Sequence, residues 1–422
     1  MSDERIIVVG GGPVGLTAAW ALARQQIPVT VLEANSHSQT DWRASTFHAA
    51  TMELLDGIDV AEEMLAEGLR VPRYQYRDRR TGVVAEFDMS SLSDVTRFPF
   101  RLQLNQQRLV AMLHRRLAES PFADVRFEHQ VIGVTGDEHS TELRVRTPGG
   151  EVLLPADFVL AADGAASGVR KALGVSFEGV TYDDRYLIIS LNEDLGESRA
   201  DDFADVCYIS DPDEFVFVLR TPESWRILFP IPADESLEAA LEPQAMQRRL
   251  RTFHDLGRAY SIIDQQIYSV HQRVAGTFCV GRVVLLGDAA HINSPMGGMG
   301  LNSGIHDAFD VTRRLIRILK EDVAPSPELA RYAEVRRQVA VDYVRTDTER
   351  NTQIMKEKAP AVRSANQAAL RATAADPVKA REWMLRASLL SAVADQGIGQ
   401  APDETSNVTD LGTGETYAAR NL

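Results

Sequence analysis

Two cysteines, Cys207 and Cys279, are all that 422 residues carry. That is too few for a disulfide framework, and the sequence predicts a protein of a reducing cytoplasm. Basic charge is also short: 45 Lys and Arg stand against 60 Asp and Glu, a formal net charge of -15. This balance argues against nucleic acid or an anionic membrane as the main partner. It does not bear on a small substrate, which feels only the local field. No apolar run approaches the roughly 18 residues that a membrane-spanning helix needs, so no stable membrane association is expected. Asp3, Glu4 and Arg5 lead straight into an apolar strand, unlike a secretory signal. Internal repeats and long low-complexity tracts are missing, and no metal site is expected. What remains is an ordinary soluble composition, 44% hydrophobic and 25% charged, long enough for two or three domains.

The stretch Gly281 to Asn302 reads GRVVLLGDAAHINSPMGGMGLN. Val283 to Leu286 has the character of a buried parallel strand. Gly287 and Asp288 end it. Pro295 and the glycines Gly297, Gly298, Gly300 and Gly304 interrupt any immediate helix, and a helical pattern resumes with Asn302. A strand thus ends at a carboxylate, a loop bends closely around something, and a helix N-terminus points at it. Such backbone suits anionic or electron-rich ligand atoms.

A second such arrangement opens the chain. A short β-branched strand, Ile6 to Val9, runs into Gly10-x-Gly12-x-x-Gly15, and a helix follows. Strand Val29 to Leu32 then ends at Glu33, eighteen residues past Gly15. This is the dinucleotide fingerprint in its required βαβ context. The first glycine permits the tight turn, the second lets backbone approach pyrophosphate, and the third allows helix–strand packing. The acid takes a ribose hydroxyl. NAD and FAD both satisfy it.

Between the two stretches, Arg70 to Phe100 shows short alternating patterns that predict an inserted β-hairpin. Leu102 to Leu117 predicts a helix with Leu109, Leu113 and Leu117 on one face. Val125–Phe127, Val131–Val134 and Leu143–Val145 predict antiparallel strands, with Pro148-Gly149-Gly150 as a turn. Phe158 to Ala161 predicts a buried strand ending at Asp163-Gly164. From Phe177 to Phe278 the pattern is mostly β, with one helix over Leu237–Leu256. Its aromatics, among them Tyr208, Phe217 and Trp225, suit either core packing or the floor of a pocket for a flat substrate. Beyond Asp307 the chain is helical, with Glu328–Lys358 as one long helix and Gly397–Leu422 as a polar tail.

Three motifs therefore stand in order: Gly10-x-Gly12-x-x-Gly15 with Glu33, Asp163-Gly164-x-x-Ser167-x-Val169-Arg170, and Gly287-Asp288-Ala289-Ala290-His291. The triple resembles the class A flavoprotein monooxygenases, the p-hydroxybenzoate hydroxylase-like family, over roughly Arg5 to Asp347. The resemblance implies an α/β (α+β) fold. It has a Rossmann-like FAD-binding domain (1–72, 100–176 and 278–347), an inserted mostly β substrate domain (73–99 and 177–277) and a C-terminal helical region (348–422). It places the ADP site at Gly10, Gly12, Pro13, Val14, Gly15 and Glu33, and the ribityl contact at Asp288. Arg43 and Gln106 reach the cofactor, and Asp163 shapes the region shared with the nicotinamide donor. Pro295, Gly298, Gly300, Leu301 and Asn302 lie beside the isoalloxazine. His48 faces the pocket, where it would accept the proton of a substrate hydroxyl. Tyr208, Phe217 and Trp225 become substrate contacts.

The implied activity is hydroxylation of a small phenolic or N-heterocyclic ring with O2, through a flavin C4a-hydroperoxide. FAD is reduced by NADH or NADPH bound transiently, since no second nucleotide fingerprint exists. The same cofactor chemistry on a polyketide-like or other non-phenolic substrate is the alternative, and a non-catalytic dinucleotide-binding redox sensor is a second. A flavin halogenase is disfavoured, because WRILFPIP at Trp225 lacks the second tryptophan of that signature. Some phenol-hydroxylating relatives carry an extra thioredoxin-like domain, for which too few residues follow the helices here. Monomer and homodimer are both compatible with the acidic surface.

Overall fold

The computed structural model describes residues 5–38, 42–137, 139–198 and 203–394. At its centre strand Ile6–Val9 pairs in parallel with Val29–Leu32 on one side and Phe158–Ala161 on the other. Ala123–Arg126 extends the sheet beyond Val29–Leu32, and Val283–Leu285 extends it beyond Phe158–Ala161. The two apolar strands at its heart, Ile6–Val9 and Phe158–Ala161, are buried at every position, as a parallel sheet covered on both faces requires. Val125–Phe127 was expected in the antiparallel set. Its residues instead form the parallel edge strand, because Val29–Leu32 offers an open edge in register with them. The antiparallel set is Gln130–Gly136, Thr141–Thr147 and Gly150–Ala156.

A second sheet has eight strands. In spatial order they are His291–Ile292, Ile262–Ala275, Phe177–Leu191, Trp225–Ile231, Val216–Arg220, Val206–Ser210, Arg73–Asp78 and Gly82–Asp88. The hairpin of residues 73–88 joins it through a parallel pairing, with Tyr76 opposite Tyr208. Side chains alternate between its faces. Tyr186, Tyr208, Phe217 and Leu228 face the first sheet and share its core. Leu187, Cys207, Val218, Trp225 and Ile227 face away, under Met246, Leu250 and Phe253 of helix Pro243–Phe253. That helix is separate from Leu237–Ala240, because Pro243 cannot continue a helix from the preceding turn.

A small antiparallel sheet is formed by Thr46–Phe47, Arg101–Gln103 and Leu69–Val71. Here the expected helix from Leu102 is corrected: residues 101–103 are strand, and the helix runs Gln106–Glu119. Helix Met299–Lys320 packs beside helix Pro13–Arg24. The long C-terminal helix also differs from expectation. Pro325–Val339 and Thr346–Lys356 are joined by a π-helical stretch, Ala340–Arg345. Helices Pro360–Ala375, Pro377–Ala387 and Leu390–Ala394 follow. The polar tail lies outside the described residues. Among the described residues no helix is long and apolar enough to cross a membrane.

Candidate active site

The first turn is built by close approach. A Cβ on Gly10, whose φ is +106°, would lie 2.4 Å from the Ala162 carbonyl oxygen. A Cβ on Gly15 would lie 2.1 Å from the Gly10 oxygen. Gly12 differs: a Cβ there meets nothing within 4 Å, so its backbone borders open space. Helix Pro13–Arg24 starts at that opening with no side-chain cap and no acid in its first turn. Its N–H groups and the positive end of its dipole are left for an anion. Val14 packs beneath, against Gly287 and Gly304, and a Cβ on Gly304 would meet it at 2.7 Å. Glu33 is fixed at the rim. It accepts from the backbone N–H of Gly11 at 2.7 Å and of Asn35 at 2.8 Å.

Asp163 accepts from the Ser167 hydroxyl at 2.6 Å and the Val169 N–H at 3.1 Å. It thereby shapes the loop that enters helix Gly168–Ala172. Arg170 donates to the carbonyls of Ala289 at 2.8 Å and Ala165 at 2.9 Å. The second motif is therefore bolted to the third.

Asp288 is exposed, yet the protein around it desolvates the carboxyl and raises its pKa, with His291 and Arg43 pulling the other way. Exposure with desolvation marks a concave position. Its neighbour Gly287 is held by Asp307, which accepts from Gly287 N–H and from His291 Nε2, both at 2.9 Å. Arg336 Nε donates to the other Asp307 oxygen at 2.6 Å. Burial works against the Asp307 charge, but Arg336 and His291 hold its pKa below the usual range. Neither Asp307 nor Arg336 was singled out in the sequence. A carboxylate on the apolar inward stripe of a helix was the available signal.

Pro295 is exposed too. After it the backbone turns through Gly297 and Gly298, at φ +107° and +67°, into helix Met299–Lys320. This helix too lacks a side-chain cap and a first-turn acid. Gly298, Gly300 and Leu301 are half-buried at its start. Asn302 is buried. Its amide donates to the carbonyls of Thr46 at 2.8 Å and Gly298 at 2.6 Å, and it accepts from the His48 N–H at 2.9 Å. His48 stands just before helix Ala49–Asp56 and is fully buried. Its Nε2 lies 2.8 Å from the Gly297 carbonyl and so carries the proton, which leaves Nδ1 as an acceptor without a partner. Burial, reinforced by Arg101, pushes its pKa down to about 3. Arg43 is exposed, and its carbonyl accepts from Arg226. Gln106 is buried at the start of its helix, its N–H on the Ala44 carbonyl at 3.0 Å.

Of the three aromatics, the structure brings two to this place. Tyr208 and Phe217 are cross-strand neighbours on the inner face, ring centroids 4.8 Å apart, and Tyr76 stacks on Tyr208 at 4.9 Å. Trp225 is not brought there. It lies on the outer face with its Nε1–H 3.1 Å from Asp194, because its strand position has the opposite parity. The inner ring wall touches the Gly297 loop through Asn351. Asn351 accepts from Tyr76 at 3.1 Å, and its amide would meet a Gly297 Cβ at 3.2 Å. A cleft of about 650 Å³ opens alongside, between Tyr186, Gln272, Ser294 and helix residues Glu349, Thr352 and Lys356.

Gly12, Asp288 and Pro295 all keep open surface, and an uncapped helix N-terminus follows the first and the last. The donor set suits FAD, whose pyrophosphate would meet the first helix, whose ribityl hydroxyls would meet Asp288 and whose ring edge would meet the second helix. Comparison with known proteins gives the family. Residues 3–347 match the FAD-binding-domain family. The chain is 32% identical over 394 residues to the para-nitrophenol 4-monooxygenase of Pseudomonas sp. (strain WBC-3), covering 90% of this chain and 94% of that one. It is 30% identical over 325 residues to the 6-hydroxy-3-succinoylpyridine 3-monooxygenase of Pseudomonas putida (strain DSM 28022 / S16), 75% of this chain and 80% of that one. The crystal structure of p-nitrophenol 4-monooxygenase from Pseudomonas putida DLL-E4 matches with TM-score 0.85 at 28% identity, over 91% of this chain and 99% of that one. The chain belongs to the FAD-binding aromatic monooxygenases and is a flavin-dependent hydroxylase.

Proposed function

We propose that this enzyme hydroxylates a small phenol, using NADH or NADPH as electron donor and O2 as oxidant. The observation that carries this reading is the contact between the Gly297 loop and the Tyr76–Tyr208–Phe217 ring wall through Asn351. It sets a flat apolar surface beside the place where the flavin edge belongs. On this reading residues 1–72, 100–176 and 278–347 hold the cofactor, and 73–99 and 177–277 hold the substrate.

Bound FAD supplies the transfer of electrons from the nicotinamide and the activation of O2. The chain supplies position, dryness and charge. The backbone N–H groups at the uncapped start of helix Met299–Lys320 would favour negative charge on a flavin held there. Met296 and Met299, on either side of the two glycines, are buried and would help to keep this loop dry. His48 enters with a defined tautomer. Its proton is committed to Gly297, so Nδ1 is left as an acceptor, which the hydroxyl of an un-ionised substrate could meet. With a pKa near about 3 it is an acceptor and not a store of protons.

The test is the visible spectrum of the purified protein, followed by NADH and NADPH oxidation with phenols, anilines and hydroxypyridines. A flavin spectrum with oxidation stimulated by phenols is expected. A colourless protein that cannot be reconstituted with FAD, or oxidation that no ring stimulates, would overturn the reading. Unchanged turnover and pH profile in His48→Ala would remove the role given to His48.

A further inference from the structure

A buried cation without a described anion stands against Tyr208 of the ring wall. Arg101 is 4% exposed and forms no ion pair with any described carboxylate. One guanidinium nitrogen donates to the Tyr208 hydroxyl at 3.2 Å. The guanidinium lies 3.9 Å over the Tyr74 ring. Its Nε–H has no partner. Two residues along the same strand, and so on the same side of it, Gln103 is fully buried with its amide nitrogen also unpartnered. Across the pair, Thr46 stands opposite Gln103 and Phe47 opposite Leu102, so the next position, His48, comes beside Arg101. Its Nδ1 is a buried acceptor and adds no donor to this set. The other titratable groups around Arg101 are Tyr74, Tyr76 and Tyr208, with Arg350 behind the first two. Burial raises Tyr74 to about 12 and Tyr76 well above its ordinary value, so neither supplies negative charge near neutral pH.

Buried charges are paired, or they are costly. Ring faces and one neutral hydroxyl offset part of that cost, and two unpartnered donors remain. We infer that Arg101, with Gln103, is a specificity-determining anion site that receives the substrate as its phenolate. The inference rests on the proposed phenol-hydroxylase reading and deepens it. The site selects by hydroxyl acidity. An electron-poor phenol that ionises readily binds best, and a ring of the same shape without an ionisable hydroxyl binds poorly. Tyr208 is a substrate-sheet residue, so the cation is oriented from the substrate side, which favours the phenolate over the anionic form of reduced flavin as its partner.

The experiment uses the FAD-loaded enzyme and 4-nitrophenol, whose phenolate and phenol absorb at different wavelengths. Wild-type enzyme should bind it ionised at a pH below its pKa in water, and should bind 4-nitroanisole at least tenfold more weakly. Arg101→Gln should raise the pKa of the bound phenol by a unit or more and weaken binding at least tenfold, with FAD content unchanged. Arg101→Lys should keep the bound phenol ionised. If Arg101→Gln does not fold, the wild-type titration and the anisole comparison decide. Equal binding of the two rings by wild type, or an unchanged bound pKa in Arg101→Gln, would overturn the inference. So would a shift in flavin potential with no shift in the phenol. Stimulation of wild-type NAD(P)H oxidation by phenols separates this failure from failure of the hydroxylase reading.

Discussion

Arg336→Met removes the cation from a fully buried pair while keeping a long apolar side chain. Arg336 is 1% exposed and Asp307 0%. The substitution leaves the Asp307 carboxylate without its strongest partner and removes donors to the Ser303 carbonyl and hydroxyl at 3.2 Å. Breaking one side of such a pair costs about 3–5 kcal/mol. For 422 residues unfolding together, the unfolding entropy is about 0.9 kcal/mol/K, so Tm should fall by roughly 3–6 °C. FAD affinity should fall as well, because Asp307 holds the Gly287 N–H one residue before Asp288. Added salt should not alter the Tm difference, since the pair is shielded from mobile ions. The double variant Arg336→Met/Asp307→Asn removes both charges and should recover about half of the lost Tm or more. Calorimetry of apo and FAD-loaded protein, with a flavin-fluorescence titration, measures all of this. A single variant within about 1 °C of wild type, or a double variant no better than the single, would refute the reasoning.

The other predictions concern acid, glycine and face. His48 and His306 both have folded pKa values of about 3 against an ordinary value of 6.5. The unfolded chain therefore takes up protons below pH 6.5 that the folded chain refuses. Stability should drop on acidification between pH 6.5 and 3, by up to about 1.4 kcal/mol per pH unit for each histidine. Thermal melts from pH 8 to 4.5 should show it, and a slope unaltered in His306→Asn would count against the assignment. Gly12→Ala should leave apoprotein Tm unchanged and weaken FAD binding, whereas Gly15→Ala, 2.1 Å from the Gly10 oxygen, should lower apoprotein Tm. Equal effects of the two would mean that Gly12 does not border the cofactor. Trp225→Phe should cost about 1 kcal/mol from the lost Asp194 bond and leave KM alone. Phe217→Ala should raise KM, and the reverse pattern would invert the two faces of the sheet.

Features that depend on local spacing were legible in the sequence. The glycine turn, Glu33 and Asp288 are each defined within a few residues of a strand end. The inward positions of Tyr208 and Phe217 and the outward one of Trp225 were not, because parity follows from cross-strand register, which no single strand contains. The edge strand Ala123–Arg126 was assigned to the wrong sheet for the same reason: nothing in its own residues says which open edge it will meet. The strand Arg101–Gln103 was absorbed into the following helix because three residues are too few to show a period. The polar pairings that hold the site span long separations. His48 reaches Gly297 across 249 positions and Arg336 reaches Asp307 across 29. Lone polar residues at such distances carry no pattern until the fold brings them together.

The wide turn at Ala340–Arg345 sets the phase of everything after it. Before it, Tyr332, Arg336 and Val339 point inward; after it, Asp347, Asn351 and Met355 do. Regular α-helical spacing carried on from Tyr332 would direct positions near 346, 350 and 354 inward instead. The extra residue therefore turns the second helix by most of one residue's 100° step. That rotation is what aims Asn351 at Tyr76 and presents Glu349 and Lys356 to the cleft. Length variation of one residue in this stretch would act as a dial on the pocket wall. It would exchange the side chains that meet Tyr76 and line the cleft, while leaving the glycine turn and Asp288, built from other segments, as they are.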